Sequence, residues 1–404
     1  MIRSIRNLPS TVWLLGLISL CNDAASDMIY PLVPLYLVSV LMAGPKVLGL
    51  IEGVAEAVSS LLKLFAGVMA DRTRNVRAWV IGGYALAGFA RPLVGLSTTW
   101  LGVFAARFAD RVGKGLRSAP RDAMLGLSVD SRRRGLAFGF HRALDNLGAV
   151  VGPLVAALLL AAGLTLRQVF LWSVVPALAV LALTFALKEP PLAAASKREP
   201  VRWTFAGLPS AFRRYLVALG LFTLGNASNM FLLLRAQDLG ASAERITLMW
   251  AVYSSIAALG STPLSALSDR FGRFRVLGVA WAAYAVAYLL IGLLPVADWA
   301  LWLAFAGYGL VTAALEGTEK ALVADMVEPA RAGTAFGWYN LVAGVLLLPA
   351  SLLFGELWQS VSPFAAFAFG AVCAALAALL LATWVRAAAA RPGAAFAPVR
   401  EQPR

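Results

Sequence analysis

The chain has 404 residues, of which 60% are hydrophobic and 14% are charged, and its formal net charge is +14. A soluble domain is about 45–50% apolar and about 25% charged, so this composition excludes a soluble protein. Apolar runs of about 20 residues recur along the chain, which predicts transmembrane helices. The basic residues fall mainly between these runs, so we interpret the charge as an orientation signal and not as a nucleic-acid surface.

Twelve helices are predicted in chain order. Their approximate spans are 11–40, 47–70, 78–97, 99–117, 135–162, 168–187, 215–237, 246–266, 276–296, 299–322, 334–356 and 362–386. A segment rich in proline and charge separates two groups of six. We therefore expect an N-terminal half (1–187), a cytoplasmic linker (188–214), a C-terminal half (215–386) and a disordered cytoplasmic tail (387–404).

The orientation follows from the distribution of lysine and arginine. Most of them flank the side that carries both chain ends, which predicts cytoplasmic termini in a plasma (inner) membrane. This side includes four residues at and beyond the end of the fourth helix, Arg111, Lys114, Arg117 and Arg121. The other side carries only Lys46, Arg167, Arg235 and Arg245.

The two halves are sequence repeats. Asp71-Arg72 recurs as Asp269-Arg270, and the pattern G-x-A-F-G at 135–139 recurs at 333–337, in both cases 198 positions later. One offset at two separate junctions indicates duplication of a six-helix unit. Both copies begin on the same side, so they are parallel repeats, which place a substrate near the midplane between the halves.

These motifs resemble those of the major facilitator superfamily of transporters. Residues 67–77 and 265–275 resemble the charged loop that the family carries once in each half, and Arg107 with Gly113 and Gly115 resembles its fourth-helix motif. The spacing on the fifth helix is similar to the family's antiporter motif, at Gly139, Gly148, Gly152 and Pro153. The resemblance implies an all-α bundle of twelve transmembrane helices around a central cavity, and a secondary transporter that exchanges its substrate for protons.

Ionisable residues inside predicted helices are the candidates for proton coupling, because charge at membrane depth is costly and usually functional. Asp23 and Asp27 share one face of the first helix, and Glu56 lies deep in the second. His141 and Asp145 share a face of the fifth helix. The alternative for the two first-helix acids is a polar cluster that packs helices together, and the alternative for His141 is a structural histidine.

The predicted substrate cavity contains both of these first-helix acids and Arg107. We expect Arg107 to pair with one of the acids or with an anionic substrate; the alternative is an intrahelical pair with Asp110. Glu52 is placed near the outer surface, in contact with solvent. The full cavity set is Asn22, Asp23, Asp27, Arg107, Asn226, Asn229 and Glu316.

The repeated charged loops predict a gate, because carboxylates and arginines at helix ends can form bonds across the halves that break between two states. The alternative is a solvated turn. The gating residues are Asp71, Arg72, Asp269, Arg270 and Arg273.

The predicted function is proton-coupled export of a small molecule. Two alternatives stay open: export of a divalent metal ion or chelate, for which the carboxylates and His141 supply ligands, and a non-transporting receptor. A single histidine cannot supply a zinc protease site, and no nucleophile-elbow or P-loop motif is present, so we expect no enzyme and no cofactor. The expected partners are the lipid bilayer, protons and a small substrate, with no nucleic acid and a monomeric chain.

Overall fold

The computed structural model describes residues 8–73, 75–130, 133–188, 208–294, 298–328 and 331–389. These ranges are helical and contain no strand. They form twelve segments of membrane-spanning length, which confirms the predicted fold class. The segments are α1 (Ser10–Val40), α2 (Pro45–Thr73), α3 (Val76–Leu96), α4 (Trp100–Leu127), α5 (Arg134–Ala161), α6 (Leu166–Phe185), α7 (Ser210–Asp238), α8 (Ala243–Phe271), α9 (Arg273–Leu293), α10 (Asp298–Met326), α11 (Ala332–Ser360) and α12 (Pro363–Ala389).

Several helix boundaries differ from those predicted. The fourth helix continues to Leu127, about ten residues beyond its predicted end, so Arg121, which was placed in a loop, lies within α4. The seventh helix begins at Ser210, inside the predicted linker, and the last helix runs on to Ala389. Averaged hydropathy locates apolar stretches. It misses these three extensions because each is polar or lies at the end of a helix.

Not every helix is apolar. Within the described ranges, nine of the twelve are apolar enough to cross a membrane on composition alone, and the exceptions are α2, α4 and α8. These three pack at the centre of the bundle, α2 against α4 and α11, and α8 against α5 and α10. The polar residues therefore lie on helices that the other helices shield from lipid.

The repeat is visible in the helix boundaries. The starts of α2 and α8, Pro45 and Ala243, are 198 positions apart, and so are those of α5 and α11, Arg134 and Ala332. The halves meet along α2 with α11 and along α5 with α8. A shift by six helices converts one pair into the other, as expected for two copies related by a two-fold axis along the bundle.

The two halves touch closely along α2 and α11, including at the end at which α2 begins. We call the end at which α1 begins the proximal end and the end at which α2 begins the distal end. A Cβ atom on Gly49 of α2 would lie 2.2 Å from the carbonyl oxygen of Ser351 on α11, so only glycine permits this approach. The Lys46 ammonium pairs with Glu356 at 2.7 Å, and the Gln237 amide donates to the Ser39 hydroxyl. These contacts join the halves at the distal end.

Candidate functional site

A buried ion network occupies the first half. The Arg107 guanidinium on α4 lies 2.6 Å from Glu52 on α2 and 3.4 Å from Asp110 one turn along its own helix. Arg91 on α3 lies 2.9 Å from the other oxygen of Asp110. All four side chains are at most 2% exposed. Because each charge has an opposite partner, the network tolerates burial that would be costly for any member alone.

The network continues toward the proximal end through Arg111. Its guanidinium pairs with Glu56 at 2.9 Å and approaches Glu52 at 3.9 Å. The Glu56 side chain is 23% exposed, in contrast to the 1% of Glu52. The network thus runs from a sealed part of the half to a more open one, and Glu56, a predicted coupling residue, lies at its open end.

These contacts correct two predictions. Glu52 was expected to be solvated near the outer surface, but it is buried and forms the main partner of Arg107, because α4 packs against α2 at that level. Arg107 was expected to pair with an acid of α1 and instead pairs with Glu52, together with the intrahelical Asp110 that was the stated alternative. Sequence reasoning missed Arg91, although a lone arginine in an apolar span is itself a signal.

The basic residues of α4 were also misread, because they were counted with the cytoplasmic side, and Arg121 was placed beyond the helix. Charged residues recur along it at the spacing of one helix face, i, i+3, i+4 and i+7, which the sequence could have revealed. Arg111 and Arg117 are 5% and 4% exposed, so this face points into the half and not into solvent. The members of the stripe are Arg107, Asp110, Arg111, Lys114, Arg117 and Arg121.

The acids of α1 face α5. The Ser19 hydroxyl donates to Asp145 at 2.5 Å, and the carboxyl group of Asp145 lies within hydrogen-bond range of that of Asp23. Asn22 donates to Asp23 at 2.8 Å, and its backbone carbonyl accepts from Arg91. Two carboxyl groups this close repel each other when both are ionised, so one shared proton would stabilise this pair between α1 and α5.

Glycines of α5 make this contact possible. A Cβ atom on Gly148 would lie 2.4 Å from the carbonyl oxygen of Leu20, and one on Gly152 would lie 2.4 Å from that of Ala24. Pro153 is buried beside them. Gly139 differs, since nothing would lie within 4 Å of its Cβ among the described residues. Two of the four motif residues, both glycines, therefore bring α5 against α1.

The predicted pair of His141 and Asp145 does not form a hydrogen bond in the described part of the chain. Asp145 bonds to Ser19 and pairs with Arg142 at 3.3 Å. His141 is 4% exposed, and its Nε2 atom has no hydrogen-bond partner among the described residues. The two side chains share a helix face, but Asp145 turns toward α1.

Asp27 reaches across to the second half. The Trp250 indole of α8 donates to its carboxylate at 3.5 Å. Trp250 stacks on Tyr253 with ring centroids 4.4 Å apart, and Tyr253 stacks on Tyr308 of α10 at 5.6 Å. Tyr30 of α1 packs against the same indole at 5.1 Å. Asp27 thus lies where the charged first half meets an aromatic wall, which sequence reasoning did not identify.

The seventh helix is interrupted, because residues 226–229 leave helical geometry. The Tyr284 hydroxyl donates to Asn226 at 3.0 Å, and the Tyr308 hydroxyl donates to Asn229 at 2.7 Å. Both predicted cavity asparagines therefore lie at the break and accept hydrogen bonds from tyrosines of the second half. Broken helices of this kind are common at transporter binding sites.

The second half also buries a carboxylate. Glu319 of α10 accepts hydrogen bonds from Trp281 at 3.1 Å and from Tyr339 at 2.7 Å. The side chain of Glu316, one turn earlier, lies outside the description of the structure, so its place in the cavity stays a prediction.

The gating residues are described only in the second copy of the motif. Arg273 pairs with Asp269 at 3.2 Å and with Asp325 of α10 at 2.9 Å, both within the same half. Arg270 stacks on Phe271. The side chains of Asp71 and Arg72 lie outside the described residues. The cross-half bonds expected of a gate stay a prediction for this motif.

Two repeated six-helix halves, an interior rich in paired charges and a broken helix at their interface define the class of secondary membrane transporters. The profile of the Major Facilitator Superfamily matches residues 15–234 and 215–403. The chain belongs to this family.

Individual relatives agree with this assignment. The chain is 33% identical over 383 residues to an uncharacterized MFS-type transporter of Methanocaldococcus jannaschii, covering 93% of this chain and 95% of the relative. It is 27% identical to a probable 4-methylmuconolactone transporter of Cupriavidus pinatubonensis, over 61% of this chain and 60% of that one. Among solved structures, a POT family transporter in complex with a thioalcohol-conjugated peptide superposes with a TM-score of 0.79 at 13% identity, covering 95% of this chain and 99% of that chain.

Proposed function

We propose that this protein is a proton-coupled secondary transporter that exports a small organic molecule by alternating access. The relative named as a transporter of 4-methylmuconolactone supports an organic substrate. The two halves supply the moving bodies, and their contacts at the distal end correspond to a state closed on that side. The close packing of Gly148 and Gly152 against α1 supports the antiporter assignment of α5.

The observation that carries proton coupling is the bond between Asp27 and Trp250. It joins α1 of one half to α8 of the other, so a change in the charge of Asp27 changes the attraction between the halves. A ligand shifts a two-state equilibrium only through a difference in its affinity for the two states. A proton on Asp27 has different affinities for the two states if the carboxylate contacts the Trp250 indole in one state, as it does in this structure, and loses that contact when the halves separate.

The shared carboxyl site of Asp23 and Asp145 gives the proton a second position. It lies one helical turn from Asp27 and faces α5, which in turn packs against α8. We propose that protonation of this site and of Asp27 is linked, with Glu56 as a further acceptor in the same half. His141 lies on the same α5 face and tunes this site.

We further propose that both termini are cytoplasmic and that the protein resides in the plasma (inner) membrane. The lysines and arginines outside the helices support this orientation. The buried arginines of α4 do not, since they serve the ion network. No observation in the described ranges favours the metal-ion or receptor alternative, and the described residues contain no group of three or more histidine, cysteine or acidic side chains that could hold a metal.

The test uses purified protein in liposomes that carry an imposed proton gradient reported by a pH-sensitive dye. Candidate organic compounds are added one at a time, and a compound exchanged for protons collapses the gradient. We expect at least one to do so between about pH 5 and about pH 8, and we expect Asp27→Asn to abolish the response. Asp130→Asn, an exposed acid after α4, is the matched control and should behave as the parent protein. Full activity of Asp27→Asn would refute coupling through this residue.

A further inference from the structure

Not every cation of the first half belongs to the ion network. Lys63 of α2 and Lys114 of α4 form no ion pair within the described part of the chain. Arg117 lies over the Tyr84 ring at 4.6 Å, and one of its terminal nitrogens has no hydrogen-bond partner although the residue is 4% exposed. Among the residues that the structure describes, these three cations therefore have no carboxylate within ion-pair distance.

Two of these cations, Lys63 and Lys114, lie near the open end of the ion network. Lys114, Lys63 and Arg111 all act electrostatically on Glu56, but only Arg111 is paired with it. Lys114 also acts on Asp27, which connects this region to the interface between the halves. Lys114 lies roughly 21 Å along α4 from its distal end, near the middle of the membrane. A lysine charge at that depth is costly unless an anion compensates it.

The opposite wall has a different chemistry. Between Arg245 and Asp269, α8 has no charged residue, and it presents Trp250 and Tyr253 in a stacked arrangement that Tyr308 extends. Trp250 and Tyr253 are 5% and 7% exposed. Stacked aromatic rings bind flat unsaturated groups through their faces. A cationic wall on one half thus faces an aromatic wall on the other, and the bond of Asp27 to Trp250 links them.

We propose that the substrate is an organic anion. Lys114, with Lys63, holds its carboxylate or similar group, and Trp250 with Tyr253 packs against a flat unsaturated body. The inference rests on the proposed function, since it assigns the substrate class of the same central site. An interior-negative membrane potential favours the exit of an anion, so this substrate class is compatible with export.

The test compares three probes of similar shape and different charge: 2-naphthoate is an anion, 2-naphthamide is neutral and 2-naphthamidine is a cation. Binding to purified protein in neutral detergent is measured by calorimetry. We expect 2-naphthoate to bind at least tenfold more tightly than the neutral amide, and the amidine to bind weakest. Acetate, which has the charge without the rings, should bind more weakly than 2-naphthoate. Equal binding of the three naphthyl probes, or tighter binding of the amidine, overturns the proposal.

Variants assign the effect to the site. Lys114→Gln and Lys63→Gln should each weaken 2-naphthoate binding at least tenfold, and Lys114→Arg should restore most of it. Lys188→Gln removes the same charge from an exposed position after α6 and should change nothing. Trp250→Leu should weaken all the naphthyl probes but not acetate, whereas Trp299→Leu, at a 68% exposed position, should not. Unchanged binding in both lysine variants, with melting temperatures like the parent's, overturns the proposal.

A lipid headgroup carries the same chemistry as a soluble anion. Phosphatidylglycerol is therefore titrated into the same micelles, and Lys114-dependent stabilisation by the lipid without binding of 2-naphthoate overturns the proposal. The outcome is separable from that of the transport assay. Lysine-dependent 2-naphthoate binding without any proton movement would refute proton-coupled transport and support the anion site, whereas proton-driven transport of cationic compounds alone would do the reverse.

Discussion

Arg107 illustrates how a single residue depends on its partners. Its guanidinium is enclosed by Glu52 and Asp110, and none of the three is more than 2% exposed. Removing one member of a buried pair leaves an uncompensated charge, which costs about 3–5 kcal/mol, whereas replacing both with apolar groups is often neutral. The network is therefore sensitive to single changes and tolerant of matched ones.

We predict that Glu52→Gln lowers the stability of the detergent-purified protein by about 3 kcal/mol, because Arg107 then loses its main partner. The double variant Glu52→Leu/Arg107→Met should recover most of this loss. Thermal unfolding of the parent and the two variants measures both effects. A double variant less stable than the single one would show that the pair contributes more than mutual compensation.

A second residue-scale prediction concerns His141. Its buried Nε2 atom has no hydrogen-bond partner among the described residues, and an unsatisfied buried polar atom costs about 1–3 kcal/mol. We expect His141→Phe to leave the melting temperature unchanged or to raise it, and to change the pH profile of transport without abolishing activity. The first result follows from burial and the second from the role we propose. An unaltered pH profile would assign His141 to packing alone.

At the scale of single elements, the contact between α1 and α5 depends on glycines, which have no side chain. Two glycines on α5 let the helix approach the α1 backbone, and this approach places Asp145 beside Asp23. The same motif contains Gly139, which has open space where its side chain would be. One motif thus supplies both a test position and its control.

We predict that Gly148→Ala destabilises the protein by about 1–3 kcal/mol, since the added methyl group would lie 2.4 Å from the carbonyl oxygen of Leu20. Gly139→Ala should be neutral or stabilising, because alanine is about 1 kcal/mol better than glycine in a helix. Thermal unfolding distinguishes the two. Equal effects at both positions would mean that helix propensity, and not the α1 contact, determines the result.

The helix α4 shows what the sequence could and could not predict. Its charged positions follow helical spacing, yet averaged hydropathy ends the helix about ten residues early because a window does not separate the faces of a helix. Asp23, Asp27 and Glu56 were recognisable as ionisable groups inside helices, whereas Glu52 was not. The partners of these acids were not recognisable either, because pairing Glu52 with Arg107, or Asp27 with Trp250, depends on how each helix is rotated against its neighbours.

At the scale of the whole molecule, the repeat offset, the helix count and the family follow from the sequence. The state of the transporter does not, because both states contain the same helices. Contacts between halves carry that information, and in this structure they close the distal end. Ser39 and Gln237 meet there across the interface between the halves.

We predict that Ser39→Cys/Gln237→Cys, in a background with Cys21 and Cys373 replaced by alanine, forms a disulfide under mild oxidation. The cross-link should stop transport, since it holds the distal end closed, and a reductant should restore it. Each single-cysteine variant, treated identically, is the control. Full transport by the cross-linked protein would refute movement of the halves at this end.

The polarity of α4 also affects how the chain enters the bilayer. A single arginine or aspartate near the centre of a helix costs about 2.5–3.5 kcal/mol on insertion, and α4 carries several. Insertion of α4 into the bilayer without partner helices is therefore unfavourable. Glu52 arrives earlier with α2, and Arg91 arrives with α3, so both counter-charges are in place when α4 leaves the ribosome. We therefore expect the first three helices to stay assembled beside the translocon during synthesis until α4 packs against them.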